Sequence, residues 1–279
     1  MQAAISAIDY YVPNKVLTND ELSRQYPEWT PERIEQKLGI VERRIAAERE
    51  CASDLGVKAA QNLFARSVCA PRDIDFLLFC TQSPDYFLPT TACLIQDRLG
   101  IPQAAGALDF NLGCSGYIYG LALAKGLVET GQANNLLLIT AETYSKFLHP
   151  KDKSVRTVFG DGAAATLIQA RAAVPPDKST GIGPFVFGTD GRGASNLIVE
   201  SGASRKPQPS GSVYFDEHGN PRSESHLYMN GGEIFTFTLE RVPATVNELL
   251  AKVGFRMENI DAFVFHQANK YMLDFLRKS

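Results

Sequence analysis

With 279 residues, 44% of them hydrophobic, the chain has the apolar material for one large core or two fused medium ones, which excludes disorder. Its 28 Lys and Arg against 31 Asp and Glu leave a formal charge of -3, without the basic excess that a phosphate backbone demands, so nucleic acid is excluded as a partner. Five cysteines without a CxxC pair, an opening without a leader pattern, and no apolar run near the roughly eighteen residues of a membrane span predict a reduced, cytoplasmic, soluble protein.

In chain order, the hydrophobic pattern predicts a helix over Cys51–Ser67, a strand over Asp75–Thr81 and a strand over Ala107–Phe110. A helix over Ser115–Thr130 and strands over Leu136–Thr140 and Ala163–Gln169 follow. Alternation of this kind is the signature of α/β layering. The breaker-rich segment Ala172–Gly181 lacks an apolar period and predicts the boundary between two halves, 1–171 and 182–279. An internal echo crosses that boundary. A helix followed by Arg72-Asp-Ile-Asp-Phe-Leu-Leu-Phe-Cys80 resembles a later helix followed by Glu258-Asn-Ile-Asp-Ala-Phe-Val-Phe-His266, so the segment ending at His266 is expected to be a buried strand. If the halves are copies, the second lacks counterparts of the later strands, and the expectation is a second sheet that is incomplete or a chain that is a fragment.

The chemistry centres on Ala107-Leu-Asp-Phe-Asn-Leu-Gly-Cys-Ser-Gly-Tyr-Ile-Tyr-Gly120, an apolar strand that runs through Gly-Cys-Ser-Gly into a small-residue helix. Such a turn presents Cys114 at a helix start, where unpaired amides and the dipole favour the thiolate that thioester exchange requires. Gly113 and Gly116 are expected to clear the approach to the sulfur. Cys51, Cys69, Cys80 and Cys93 sit in ordinary apolar contexts and read as small buried hydrophobes. His266 ends the run Ala262-Phe-Val-Phe and is followed by Gln267-Ala-Asn269; a neutral imidazole there has the means to donate to an oxyanion or share a proton with a cysteine. Its competing reading is a hydrogen-bonded structural histidine. His149, His218 and His226 show no metal-site spacing. The runs Phe159-Gly-Asp-Gly162 and Gly188-Thr-Asp-Gly-Arg-Gly193 do not match a nucleotide loop, and the first reads as a tight turn into a strand of small residues.

Six ordered stretches together resemble the β-ketoacyl-acyl-carrier-protein synthase III family of thiolase-like condensing enzymes. They are Tyr11-Val-Pro-Asn14, Gly39-Ile-Val-Glu-Arg-Arg-Ile-Ala-Ala47, Leu88-Pro-Thr-Thr-Ala-Cys-Leu-Ile-Gln96, Gly113-Cys-Ser-Gly116, Phe159-Gly-Asp-Gly162 and His266-Gln-Ala-Asn269. The resemblance implies a duplicated α/β/α/β/α sandwich, a homodimer, and an acyltransferase of fatty acid or polyketide initiation. In that reading Cys114 takes an acyl group from acyl-coenzyme A; malonyl-acyl-carrier protein then binds, loses carbon dioxide and attacks the acyl-enzyme. His266 stabilises the enolate oxygen, and neither a metal nor a cofactor is implied, coenzyme A entering as thioester substrate.

The same resemblance places Trp29 at the adenine-stacking position, against a competing reading as a core anchor. It puts Arg156 near the other adenine contact, Asn269 along the pantetheine tunnel, and Leu88 where many members carry a phenylalanine that enters the partner's acyl pocket. Lys252 and Lys270 are candidates for guiding the acidic carrier protein. The family's catalytic asparagine, in a Gly-Asn motif, lies beyond Ser279, so the expectation is a truncated chain with impaired activity. The alternatives are another thioester chemistry on the same residues, or a non-catalytic partner subunit of a heterodimeric condensing complex.

Overall fold

The computed structural model describes residues 1–173 and 180–278. These divide into two compact units, Met1–Lys15 with Arg44–Tyr144 and Gly160–Gly183, and Val16–Arg43 with Ser145–Phe159 and Pro184–Ser279. Segments 16–43 and 145–159 therefore pack with the later part of the chain, a grouping distinct from the chain-order halves. Of the expected boundary at Ala172–Gly181, residues 174–179 lie outside the described residues.

The first unit is built on strands β1 (Gln2–Tyr11), β2 (Phe76–Cys80), β3 (Gly106–Phe110), β4 (Asn135–Glu142) and β5 (Gly162–Arg171), in spatial order β1-β5-β4-β2-β3. Strands β2, β3 and β4 run parallel, while β5 pairs antiparallel with both β4 and β1. Leu77, Leu78, Phe79 and Leu136 through Ile139 are fully buried, so both faces of the central strands are covered and their apolar runs are continuous rather than alternating. Each such Leu or Phe contributes about 1.5–3 kcal/mol by leaving water.

Helices α1 (Ala52–Ala65), α2 (Thr91–Leu99) and α3 (Gly116–Glu129) supply the layers. A Cβ on Gly56 of α1 would lie 3.0 Å from Ile139, and one on Gly120 of α3 would lie 2.7 Å from Leu138. Successive residues of a strand point to opposite faces, so α1 and α3 flank the sheet on either side. All six expected elements form within two residues of their predicted ends. Strand β1, with its short Ala and Ile steps among Ser, Asp and Tyr, is the one the hydrophobic pattern did not mark.

The second unit carries the small cluster of Leu22, Tyr26 and Ile34, with Leu17, Trp29 and Leu38 packed against it. Helix Pro31–Leu38 is capped by Thr30, opens on Pro31 and stops at Gly39, whose φ of 70° is the left-handed conformation glycine adopts without strain. The unit also contains α4 (Gly231–Val253) and α5 (Lys270–Leu276), and its strand pairs are short: Leu197–Ile198 with Tyr228–Met229, and Tyr214–Phe215 with Pro221–Arg222.

Two expectations need correction. The segment at 262–266 is not a buried strand: Phe263 is exposed and Val264 is 92% exposed. A strand exists only where a neighbour completes its ladder, and among the described residues none pairs with this segment. Cys93 is exposed rather than buried, because α2 buries the stripe Ala92, Ile95 and Leu99 and turns the next position outward. Cys80 is buried, and Cys51 and Cys69 are half-buried. No helix among the described residues is long and apolar enough to cross a membrane.

Candidate active site

At the C-terminal edge of the parallel strands, Cys80 lies in register between Phe110 of β3 and Thr140 of β4. The chain beyond each strand end stays close to its neighbours: the Thr81 amide donates to the Phe110 carbonyl at 3.3 Å, and the Cys80 thiol donates to the Leu112 carbonyl at 3.1 Å. Cys114 stands in the tight turn from β3 into α3, closed by the Gly116 amide donating to the Gly113 carbonyl at 2.8 Å, and it is exposed. The flanking glycines are packing positions. A Cβ on Gly113 would lie 2.5 Å from Gln82 Oε1, and one on Gly116 would lie 2.4 Å from Cys80 Sγ. Gln82 and Cys80 take up the space that the sequence reading had left open for a substrate.

The carboxylate of Glu142, at the end of β4, accepts from the Gln82 amide at 2.7 Å and the Ser83 hydroxyl at 2.8 Å. The Ser83 hydroxyl in turn accepts from the Thr143 amide at 2.8 Å. The Tyr144 hydroxyl donates to Gln82 Oε1 at 2.9 Å. Burial raises the Glu142 carboxyl to about 7 despite these donors, and raises the Tyr144 phenol to about 12 with help from Glu142 and Cys114. Cys114 is pushed up as well, first by the protein mass around a sulfur that still reaches solvent; its own backbone amide opposes this, and the Glu142 charge adds a smaller push upward. The expectation of a thiolate favoured by the helix start is thus reversed: α3 begins two residues later, and the resting group is a thiol. One turn of dipole is outweighed chiefly by desolvation, with the Glu142 charge a lesser addition. Burial raises the Cys80 thiol to about 11.

In the second unit, Trp29 is half-buried against the Leu22 cluster, with the Arg33 guanidinium 5.5 Å and the Lys37 ammonium 5.3 Å from its ring centroid. Arg156, in the single turn Lys153–Arg156, acts on the Tyr26 hydroxyl of the same cluster and leaves its Nε buried without a partner. Asn269 caps α5, accepting from the Met272 amide at 2.9 Å, and lines a cleft of about 470 Å³ with Lys37, Leu38, Lys270, Tyr271 and Asp274. Trp29, Arg156 and Asn269, far apart in sequence, thereby gather around helix Pro31–Leu38 and its cluster. His266 is exposed, yet the protein beside its ring pushes its pKa down, which keeps the imidazole neutral. In the first unit, Leu88 stands with Phe87 in a projecting loop, each 83% exposed. A cleft of that unit, about 670 Å³, is lined by Tyr11, Arg49, Glu50, Lys58 and Arg98 among others and includes none of the candidate residues.

Sequence reasoning missed Glu142, Gln82 and Tyr144. Spacing alone does not announce them, because strands 60 residues apart in the chain place them side by side; the one local signal is a carboxylate directly after the apolar run Leu136–Ala141. It also missed Arg33 and Lys37, one and two turns along a helix from Trp29.

The family model described as 3-oxoacyl-[acyl-carrier-protein] synthase III matches residues 108–191, the stretch that holds Cys114, Glu142 and Tyr144. A β-ketoacyl-[acyl-carrier-protein] synthase III of Caldanaerobacter subterraneus subsp. tengcongensis is 36% identical over 276 residues, covering 99% of this chain and 79% of the relative. A crystal structure of a 3-oxoacyl-(acyl-carrier-protein) synthase III superposes with a TM-score of 0.97 at 57% identity, covering all of this chain and 82% of that one. The priming β-ketosynthase of the R1128 polyketide pathway gives a TM-score of 0.81 at 28% identity, covering 99% of this chain and 78% of that one. The fold is that of the thiolase-like condensing enzymes, and with likeness running along its whole length the chain belongs to the β-ketoacyl-[acyl-carrier-protein] synthase III family.

Proposed function

We propose that the chain joins an acyl-coenzyme A starter to malonyl-acyl-carrier protein by decarboxylative Claisen condensation, through an acyl thioester on Cys114. The observation that carries this is the placement of Cys114: a solvent-reaching thiol on a glycine-bounded turn at the C-terminal edge of parallel strands, where an open α/β sheet presents its ligand crevice. In the first half-reaction the sulfur attacks the thioester carbonyl, its proton leaves with the coenzyme A thiolate, and the acyl group stays on sulfur. In the second, malonyl loses carbon dioxide, and its enolate carbon attacks the acyl thioester and releases Cys114. The resemblance gives His266 the enolate oxygen, and its depressed pKa supports the neutral N–H donor that role requires.

Trp29 is read as the adenine platform, an amphipathic face already flanked by two cations suited to phosphates. Arg156 is the second adenine contact, Asn269 the pantetheine contact, and Leu88 a determinant of acyl preference at the partner copy. Lys270, whose Cβ would meet a side chain on Gly39 at 2.8 Å, and Lys252, which donates to the Phe185 carbonyl at 2.8 Å, are read as carrier-protein guides. A homodimer is supported by β3 standing at the sheet edge with Leu108 exposed, and by the exposed Phe87 and Leu88. We place the enzyme in the cytoplasm, on its reduced cysteine set.

Intact-mass spectrometry with a panel of acyl-coenzyme A thioesters tests the nucleophile. One acyl adduct on the wild type and none on Cys114→Ala is expected; an adduct that persists in the variant, or none on the folded wild type, would reject Cys114.

A further inference from the structure

We infer that Glu142 is a positioning residue for Cys114: from the end of β4 it holds the Gln82 strand end against the Gly113–Cys114 turn, and the charge it carries adds to the restraint on the Cys114 sulfur. This rests on Cys114 as the nucleophile.

The geometry joins three strand ends. Glu142 accepts from the Gln82 amide and the Ser83 hydroxyl, with the Thr81 hydroxyl at 3.5 Å. The Gln82 side chain, fixed at its oxygen by the Tyr144 hydroxyl, lies so close to Gly113 that no Cβ fits there. Displacing Glu142 therefore moves Gln82, and Gln82 moves the residue before Cys114. No Lys, Arg or His among the described residues forms an ion pair with Glu142, although it is enclosed deeply enough for its ionisation to be costly. The titratable groups it acts on are Cys80 from β2, Cys114 from the turn after β3, and Tyr144 from its own strand's continuation. All three are neutral acids at pH 7, so the charge in this layer belongs to Glu142.

A purely structural anchor has no need of charge: a glutamine keeps an acceptor for the Gln82 amide at Oε1, and its NH2 would donate to the Ser83 hydroxyl where the carboxylate accepts from it. What the carboxylate adds is a field at Cys114. Once ionised it opposes formation of a thiolate, which keeps the sulfur protonated while no thioester is present; its own titration near pH 7 makes that restraint adjustable.

Alkylation of Cys114 by iodoacetamide, located by peptide mass spectrometry and followed from about pH 5.5 to about pH 10, reads this directly. Glu142→Gln should lower the midpoint of the rate profile by about one pH unit, raising the rate about tenfold above about pH 8 but only about twofold at about pH 7, where half of the wild-type carboxyls are already neutral. Tyr144→Phe, which loosens Gln82 but keeps the carboxylate, should leave the midpoint in place. An unchanged or raised midpoint in Glu142→Gln, or an equal shift in Tyr144→Phe, would overturn the inference. Should Glu142→Gln not fold, the wild type decides: its log rate should climb with less than unit slope around pH 7, and unit slope throughout would refute the role. The profile is independent of acyl transfer, so a missing acyl adduct rejects the nucleophile and leaves the Glu142 measurement standing.

Discussion

Gly116→Ala is a one-carbon change placed where the packing leaves no room. The new Cβ would lie 2.4 Å from Cys80 Sγ and 3.4 Å from Leu112 Cβ. Cys80 is 3% exposed and its thiol is tied to the Leu112 carbonyl, so the sulfur has no free volume to retreat into. Forcing a carbon into such a site costs about 1–3 kcal/mol. Because Gly116 closes the turn that holds Cys114, relief through backbone movement also displaces the sulfur, and a misplacement on the order of 1 Å lowers reaction about a hundredfold. Removing the obstructing atom should restore both quantities: Cys80→Ala alone costs about 1 kcal/mol for the emptied space, whereas Gly116→Ala in the Cys80→Ala background should cost little more. Urea denaturation of the four proteins, with Cys114 acylation followed by intact mass, completes the cycle. If Gly116→Ala costs as much with Cys80→Ala as with the wild-type residue, the glycine is required for something other than the Cys80 contact.

The carboxyl of Glu142 ionises near pH 4.5 in the unfolded chain and near 7 in the folded one, so between those values the unfolded state holds fewer protons and stability falls as pH rises, by about 3 kcal/mol in all. Urea midpoints of Glu142→Gln relative to wild type should therefore improve from pH 5 to pH 8, and a constant difference would show that the group titrates normally. Arg222 is buried between Asp152 at 2.5 Å and Asp216 at 2.6 Å, and Arg222→Ala, which strands the nearly inaccessible Asp152 charge, should cost about 3–5 kcal/mol by denaturant titration; a loss under about 1 kcal/mol would mean that water reaches the pair. If Trp29 stacks on adenine, Trp29→Ala should weaken coenzyme A about tenfold in calorimetry while acylation at saturating thioester is kept, and an unchanged Kd would return Trp29 to the role of core anchor.

What was legible in the sequence is what depends on neighbours along the chain. The buried runs at Leu77–Cys80 and Leu136–Ile139 announce themselves because both faces are covered and every position is apolar. The Gly113–Gly116 turn is legible for the same reason, since an apolar strand, two glycines and a small-residue helix leave few backbone paths. The charge state of Cys114 was not legible, because it is set by the depth of the surrounding protein and, to a lesser degree, by Glu142 from another strand rather than by the helix start two residues on. The crowding at Gly113 likewise depends on Gln82, which reaches it only through parallel pairing of β2 with β3.

The internal echo separates these two kinds of information most cleanly. In its first copy the Ala70 amide donates to the Asp73 carboxylate at 3.2 Å and the Ile74 amide to the Pro71 carbonyl at 3.2 Å; in its second the Arg256 amide donates to Asn259 Oδ1 at 2.8 Å and the Ile260 amide to the Met257 carbonyl at 3.1 Å. Both copies therefore build the same one-turn helix after a longer one, and both leave it in extended backbone at Ile74 and Ile260. Beyond that point they part. Phe76–Cys80 lies between β3 and β4 and is a strand with Leu77 to Phe79 fully buried, whereas 262–265 has no ladder partner among the described residues and holds Phe263 and Val264 in solvent. A turn is a local event that four residues can specify; a strand is a collective one, stabilised only when its backbone groups and both faces find neighbours. The apolar pattern of Ala262–Phe265 is thus the pattern of a strand interior without the neighbours that make a strand.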